Sequence, residues 1–365
     1  MKKSFLFLSI LFISGIIYPS LTGIEKINNE NFNLIQSDIL SEVMLKYGYE
    51  ESPKFKAYLI CAESGENSHI EKEYRFDYKG TANDTSYWPA STVKLFASVA
   101  ALKKAQTLKI SPKEKIYFKI KKRTYSDTLE NLINESIINS DNISYNFLVQ
   151  FSGFDYLNRN FLWNENGFRK TMLFKAYGLR EWKRRMRAPV SFTEMIPVYV
   201  QRDKKYYVRK KITYSSLKVN KKRYSQTSLY DVGECMHRFI FQNDLSQDEC
   251  YNIKEDYRNI LTNALSEDKL TFNETVKIFN EEFGKDFKFY NKPGFGNNWY
   301  SEVIYFKDPF YGRHWILSLA DYSGADSLKD ELSIIAKIIK NNDLFENKTL
   351  FTKNIKDTTS IEKCN

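Results

Sequence analysis

Apolar residues recur at helical spacing in some stretches of this chain and alternate or run together in others. Phe32, Ile35, Ile39 and Val43 stand three and four apart within residues 31–46, a pattern that predicts a helix. Lys54–Cys61 reads as a strand and Ile70–Tyr78 alternates as another. A helix is expected from about Ser91, with Val93, Phe96, Val99 and Leu102 as its apolar stripe. A second helical region, TLENLINESIIN, runs to Asn139. It breaks at SDN, and a further helix, ISYNFLVQFSG, ends at Gly153.

Residues 189–226 are basic and rich in Tyr and Val, and KKYYVRKKITYSSLKV suggests strands or a hairpin. The helix TSLYDVGECMHRFIF is capped by Thr227 or Ser228. Strands are expected at Phe287–Lys292, Ser301–Phe306 and His314–Tyr322, followed by the amphipathic helix ADSLKDELSIIAKIIKNN and a polar tail over 343–365. Helix, strands, helical middle, strands, helix describes an α/β sandwich with an all-helical lobe inserted. No internal repeat is visible.

The 365 residues suffice for one large or two ordinary domains, and 42% hydrophobic content with 16% aromatics excludes global disorder. Lys2 and Lys3 precede an apolar run from Phe5 to Ile17, then Tyr18-Pro19-Ser20-Leu21-Thr22-Gly23. This resembles an export signal over residues 1–23, with a periplasmic or secreted destination; an uncleaved membrane anchor is the other reading. Nothing later is long and apolar enough to span a bilayer.

Export permits disulfides. Cys61, Cys235, Cys250 and Cys364 allow three full pairings; Cys235 and Cys250 are a candidate pair, and buried thiols are the alternative. With no C-x-x-C and only His69, His237 and His314, widely spaced, no metal or cofactor is expected. Charge is unevenly spread: Lys183–Arg223 holds fourteen Lys or Arg against Glu194 and Asp203, a net of +12 where the whole chain has +10. In an exported chain such a stretch points to an anionic envelope surface or a solvated insertion rather than to nucleic acid.

Four S-x-x-K pairs occur: Ser91/Lys94, Ser215/Lys218, Ser266/Lys269 and Ser360/Lys363. Only Ser91 lies between a strand region and a long amphipathic helix, with Pro89 at the helix entrance. Unsatisfied N–H groups there favour a developing alkoxide. Lys94 lies on the same helix face, and as a base near neutrality it must drop about 3 pKa units, roughly 4 kcal/mol of environment. Ser140-Asp141-Asn142 is the chain's sole S-D-N, and Lys292-Pro293-Gly294 lies on a C-terminal strand with a hairpin partner. A second K-x-G, Lys46-Tyr47-Gly48, stands upstream at a helix end.

Serine-x-x-lysine, then S-D-N, then a K-x-G strand resembles the motif set of class A β-lactamases and penicillin-binding proteins. The resemblance spans residues 32–342 apart from the basic 189–226 insertion. It implies a three-layer sandwich, an antiparallel sheet flanked by helices, with the helical lobe inserted. It implies Ser91 as acylated nucleophile, Lys94 as its proton acceptor and Ser140 as proton relay to the leaving nitrogen. Asn142 would bind the substrate amide, Asp141 would brace the loop, and Lys292 would supply positive charge to Ser140 and a substrate carboxylate. Gly294 and Phe295 would line the substrate, the N–H groups of Ser91 and Phe295 forming the oxyanion hole. Asn146 matches a polar position with a structural role.

Two departures stand out. K-P-G replaces K-[T/S]-G, removing a hydroxyl and an N–H, which suits an edge strand. The R-x-E-P-x-x-N loop has no match: RMRAPVSF offers Arg185 or Arg187 and Pro189, with alanine where glutamate belongs. Glu255/Asn259 is the only E-x-x-x-N between Ile143 and Asn291, and Glu165, Glu181 and Glu194 lack the motif. The expected activity is serine acyl transfer on β-lactams with slow deacylation. A D-alanyl-peptide carboxypeptidase or transpeptidase, or a weakly catalytic envelope-binding relative, is the alternative.

Overall fold

The computed structural model describes residues 35–36, 38–65, 68–162, 166–168, 170–173, 184, 186, 194–215, 225–266, 274–284, 288–296, 298–322, 328–346, 350 and 353–354. The expected signal lies outside them.

The main sheet follows the apolar runs. Its strands are β1 (Ile35–Gln36), β2 (Phe55–Ser64), β3 (Ile70–Asp77), β10 (Phe289–Gly296), β11 (Trp299–Lys307), β12 (His314–Asp321) and β13 (Lys353–Asn354). The order is β1-β3-β2-β12-β11-β10, with β13 also on β3. Only β1 runs parallel to its neighbour. Ile35, expected in a helix, pairs with Arg75 instead, and the helix α1 starts later, at Ile39–Lys46. Tertiary pairing overrides the local periodicity there.

The central strands are buried on both faces, which explains runs such as AYLIC. One face packs Leu59, Phe76, Leu317 and Ile304 against Leu40 and Val43 of α1 and against Leu332, Ile335 and Ile339 of the C-terminal helix Leu328–Asn341. The other packs Tyr58, Ile60, Val303 and Ile316 against Val232, Cys235 and Met236 of the helix Leu229–Ile240, whose N-cap is Ser228. Helices therefore flank an almost wholly antiparallel sheet.

The lobe expected to be all-helical is not. It contains α2 (Lys94–Thr107), α3 (Leu129–Ile137), α4 (Asn142–Ser152) and a four-stranded sheet. That sheet joins β4 (Lys115–Ile120), β5 (Arg123–Thr128), β7 (Val198–Gln201) and β8 (Lys205–Arg209) in the order β5-β4-β7-β8. In β4, Ile116, Phe118 and Ile120 are buried while Lys115 and Lys119 are exposed, a plain period of two. The turn after β4 uses Lys121 at φ +53° rather than Gly or Asn, so no turn signal marks it.

The basic stretch contributes to this lobe. Its hairpin β7–β8 pairs with β4, and Val198 and Val200 are fully buried. It is therefore only partly a surface insertion. Cys250 is disulfide-bonded, whereas Cys61 and Cys235 are free and buried, so the candidate Cys235–Cys250 pair is not made.

Candidate active site

Ser91 sits in a single tight turn, Ala90–Val93, that feeds directly into α2. Ala90 adopts φ +43°, a left-handed backbone that a residue with a Cβ rarely takes, so strain falls immediately before Ser91. Edge strand β10 presses on this turn. A Cβ on Gly294 would lie 2.8 Å from both Pro89 O and the Ser91 nitrogen, so only glycine permits the approach. From β11, Ser301 Oγ donates to Pro89 O at 3.0 Å and fixes the turn from beneath. Pro293 is accommodated because β10 pairs on one side only.

Lys94, the first residue of α2, is fully buried. Its ammonium donates to the Ser140 carbonyl and, at 3.1 Å, to Ser140 Oγ. Lys292 is equally buried and donates to Ile137 O at 3.1 Å and to Ser140 Oγ at 3.0 Å. Ser140 occupies the gap between α3 and α4 at φ +51°. Asp141 caps α4, its carboxylate accepting from Ser144 N at 2.6 Å, while its own N–H donates to Glu135 O at 2.9 Å. Asn142, half-buried, begins α4. The structure thus gathers Ser140, Lys94 and Lys292 around one hydroxyl, with Gly294 against Ser91.

Burial, and then the charge of Lys292, push the Lys94 ammonium well below the usual lysine range, with Asp141 opposing. Burial pushes Lys292 down to about 7, with Glu302 opposing. Two ammonium groups out of water beside one hydroxyl is the setting in which a lysine loses its proton near neutrality. Among the described residues no group of His, Cys, Asp and Glu is arranged to hold a metal ion, and no helix is long and apolar enough to cross a membrane.

The other serines lie elsewhere. Ser266 Oγ donates to Asn263 O at the C-terminal end of the helix Glu255–Leu265, and half-buried Ser215 donates from its Oγ to Asp155 at 2.6 Å. Lys218, Lys269 and the Ser360/Lys363 pair fall outside the described residues. Lys46 ends α1, on the opposite face of the sheet.

Comparison with known proteins decides the family: the β-lactamase enzyme family matches residues 70–341. The chain belongs to the β-lactamase enzyme family. A comparison with curated proteins returns no match. Among solved structures, a class A β-lactamase from Bacteroides cellulosilyticus is 12% identical with a TM-score of 0.52, covering 86% of this chain and 100% of its own. The TLA-3 extended-spectrum β-lactamase gives 14% and 0.54, covering 85% and 100%. A PBP-A mutant in acyl-enzyme complex with penicillin G gives 12% and 0.53, covering 84% and 98%. At these identities the likeness establishes the shared fold.

Within this β-lactamase fold the loop glutamate has no counterpart among the described residues. Glu194 belongs to the short strand β6 (Glu194–Met195), which pairs with β9 (Thr213–Tyr214), and its backbone is tied to Gln150, whose Nε2 donates to Glu194 O at 3.0 Å. Gln150 is about 12 Å along α4 from Asn142 at the usual rise. Glu255 and Asn259 are exposed on their helix. Glu165, Glu181, Arg185, Arg187 and Pro189 lie outside the described residues. Asn146 is buried on α4. One polar residue escaped sequence reasoning: Glu302, buried on β11, whose only signal was a carboxylate inside an otherwise apolar strand.

Proposed function

We propose that the protein is an exported serine hydrolase that opens β-lactam amides through an acyl-enzyme on Ser91 and releases the product slowly. The observation that carries this reading is the Ser140 hydroxyl held at 3.1 Å by Lys94 and 3.0 Å by Lys292, beside the strained turn of Ser91.

Neutral Lys94 accepts the Ser91 proton as Ser91 Oγ attacks the lactam carbonyl. The N–H groups of Ser91 and Phe295 receive the oxyanion, each such donor being worth roughly 10²–10³ in rate. Ser140 gives its proton to the departing ring nitrogen as the C–N bond breaks, and is reprotonated from the lysines. Asn142 holds the substrate's side-chain amide and Lys292 its carboxylate. These steps use only the chain's own residues and need no cofactor.

Export rests on Lys2, Lys3 and the apolar run to Ile17. The exposed side of the β7–β8 hairpin, with Lys204, Lys205, Tyr206 and Tyr207, is proposed to face the anionic cell envelope. Intact-mass measurement after benzylpenicillin exposure tests the central reading. One adduct per chain, absent in Ser91→Ala, is expected. No adduct, or one that survives that substitution, overturns it.

A further inference from the structure

Behind the site strand lies a carboxylate that none of the steps above uses. Glu302 stands on β11 opposite Pro293, and it is 1% exposed. Its Oε1 accepts from Asn291 Nδ2 at 2.6 Å, and its Oε2 accepts from Tyr300 OH at 2.7 Å and from Thr275 Oγ1. Burial pushes this carboxyl above the usual carboxylate range, while the three converging donors and the charge of Lys292 favour its anionic form and hold that rise in check.

The sheet separates this anion from the two lysines. Paired residues share a face, so Pro293 and Glu302 face one layer, while Lys292, Gly294 and Ser301 face the nucleophile turn. Lys292 makes no direct ion pair with any described residue. Lys94 Nζ and Lys292 Nζ each lie about 3 Å from Ser140 Oγ, hence within about 6 Å of each other. Two like charges so close, both buried, do not persist together. Burial weighs on both, and a third charge nearby biases which lysine keeps its proton.

We propose that Glu302 is that third charge, a positioning residue that holds the positive charge on Lys292 and leaves Lys94 neutral to accept the Ser91 proton. The inference rests on the acyl-transfer reading. Other groups near these side chains are accounted for. Asp141, capping α4, favours charge on Lys94 and opposes Glu302. The helix Glu255–Leu265, packed on β10, buries Tyr257, Ile260, Leu261, Ala264 and Leu265, whereas its Glu255 and Asp256 are exposed and Arg258 is half-buried. On the Glu302 side, the helix Glu274–Phe283 buries Thr275 and Phe279 and exposes Lys277, while Asp321 faces the same layer from β12, paired with Tyr300. Glu302 is the acid directly opposite the residue that follows Lys292.

The test compares wild type, Glu302→Gln and Tyr300→Phe. In the pH dependence of acylation by a chromogenic cephalosporin, Glu302→Gln should narrow the bell from both sides. Its alkaline limb, set by Lys292, should fall on the order of one pH unit, and its acid limb, set by Lys94, should rise. A bell that only drops in height, with both limbs in place, would reduce Glu302 to a structural role and overturn the proposal. NMR titration of ¹⁵N-lysine-labelled protein without any β-lactam reads the same coupling independently of activity. Lys292 should titrate lower in Glu302→Gln and by an intermediate amount in Tyr300→Phe, which loses one donor without losing the carboxylate. An unmoved Lys292 overturns the proposal. If Lys292 moves but wild type forms no acyl-enzyme, the acyl-transfer reading fails while the coupling of Glu302 to Lys292 stands. Should Glu302→Gln fail to fold, Tyr300→Phe decides by the same titration.

Discussion

The Ser140 hydroxyl accepts from two buried lysine side chains at once, Lys94 Nζ at 3.1 Å and Lys292 Nζ at 3.0 Å. A hydroxyl has two lone pairs and one proton, so this arrangement leaves its O–H as the one group free to donate. On the proposed reading, a serine so placed releases a proton toward a leaving nitrogen rather than acting as the nucleophile.

That geometry sets a pH dependence. Under the proposed mechanism, acylation needs Lys94 without its proton and Lys292 with one. Lys94 is pushed well below the usual lysine range, so the rate should climb on the acid side as Lys94 deprotonates. Lys292 is held at about 7, so the rate should fall again as pH rises through that value. Stopped-flow acylation across pH 5–9 checks this, a window chosen to bracket about 7. Ser140→Ala should lower the rate about 10²–10⁴-fold at every pH while Ser91 remains slowly labelled. A rate still rising at pH 9 would exclude Lys292 as the charged partner.

Gly294 offers a sharper steric test. Adding one methyl places a Cβ 2.8 Å from Pro89 O and from the Ser91 nitrogen, both backbone atoms with little freedom to yield. Gly294→Ala should displace the Ser91 turn and cut acylation by at least about tenfold, since roughly 1 Å of misplacement can cost 10²-fold. Global stability should change little, because β10 is an edge strand. Unaltered acylation would mean that the turn is not held by this contact.

Much of the sheet and of the site was legible in the sequence, for physical reasons. β2, β3, β11 and β12 announce themselves because buried strands must be apolar or alternating, and Ser228 because a helix start needs an acceptor for its free N–H groups. Ser91, Lys94, Ser140 and Lys292 were legible as a motif order, and the fold brings the last three around one oxygen. β4 and β5 were not, because Lys121 at φ +53° closes their turn without Gly or Asn. Nor was Glu302, since its donors Thr275, Tyr300 and Asn291 are distributed over three elements that only tertiary structure joins. The basic stretch misled through composition: its charge suggests full solvation, whereas Val198 and Val200 are buried in alternation with half-buried Tyr199 and exposed Gln201.

Shortening that stretch should therefore be costly. Arg209 at the end of β8 donates to Gln150 O at 2.8 Å and Ile196 O at 2.7 Å, tying the hairpin to the C-terminal end of α4. Val200→Ala should cost roughly 2–3 kcal/mol in urea unfolding, from lost transfer energy and the cavity left behind. Deletion of residues 198–209 should abolish cooperative unfolding, because β4 would lose its partner on one side. A deletion variant that still unfolds in one sharp transition would show that the lobe closes without the hairpin.

Deacylation gives the last expectation. On the proposed reading, forming the acyl-enzyme calls on Ser91, Lys94, Ser140 and backbone donors; Lys94 meets Ser140 Oγ at 3.1 Å, and Gly294 closes on the Ser91 nitrogen. Hydrolysing it requires a base that draws a proton from water on the open face of the ester, the part taken in class A enzymes by a loop glutamate. Here no carboxylate among the described residues hydrogen-bonds Ser91, Lys94 or Ser140, and Asp141 is committed to capping α4 through Ser144 N. Glu194 is fixed beside Gln150, well along α4 from the S-D-N turn. General-base help is typically worth about 10²–10⁴ in rate, so hydrolysis should be slow by a similar factor. A chromogenic cephalosporin should then give a burst of one equivalent of product per enzyme, followed by a slow steady state. Fast turnover with no burst would sink the slow-deacylation reading and send the search to Glu165, Glu181 and Glu194. Glu→Gln at whichever one serves as base would then bring the burst back, because acylation would proceed while the water lost its proton acceptor.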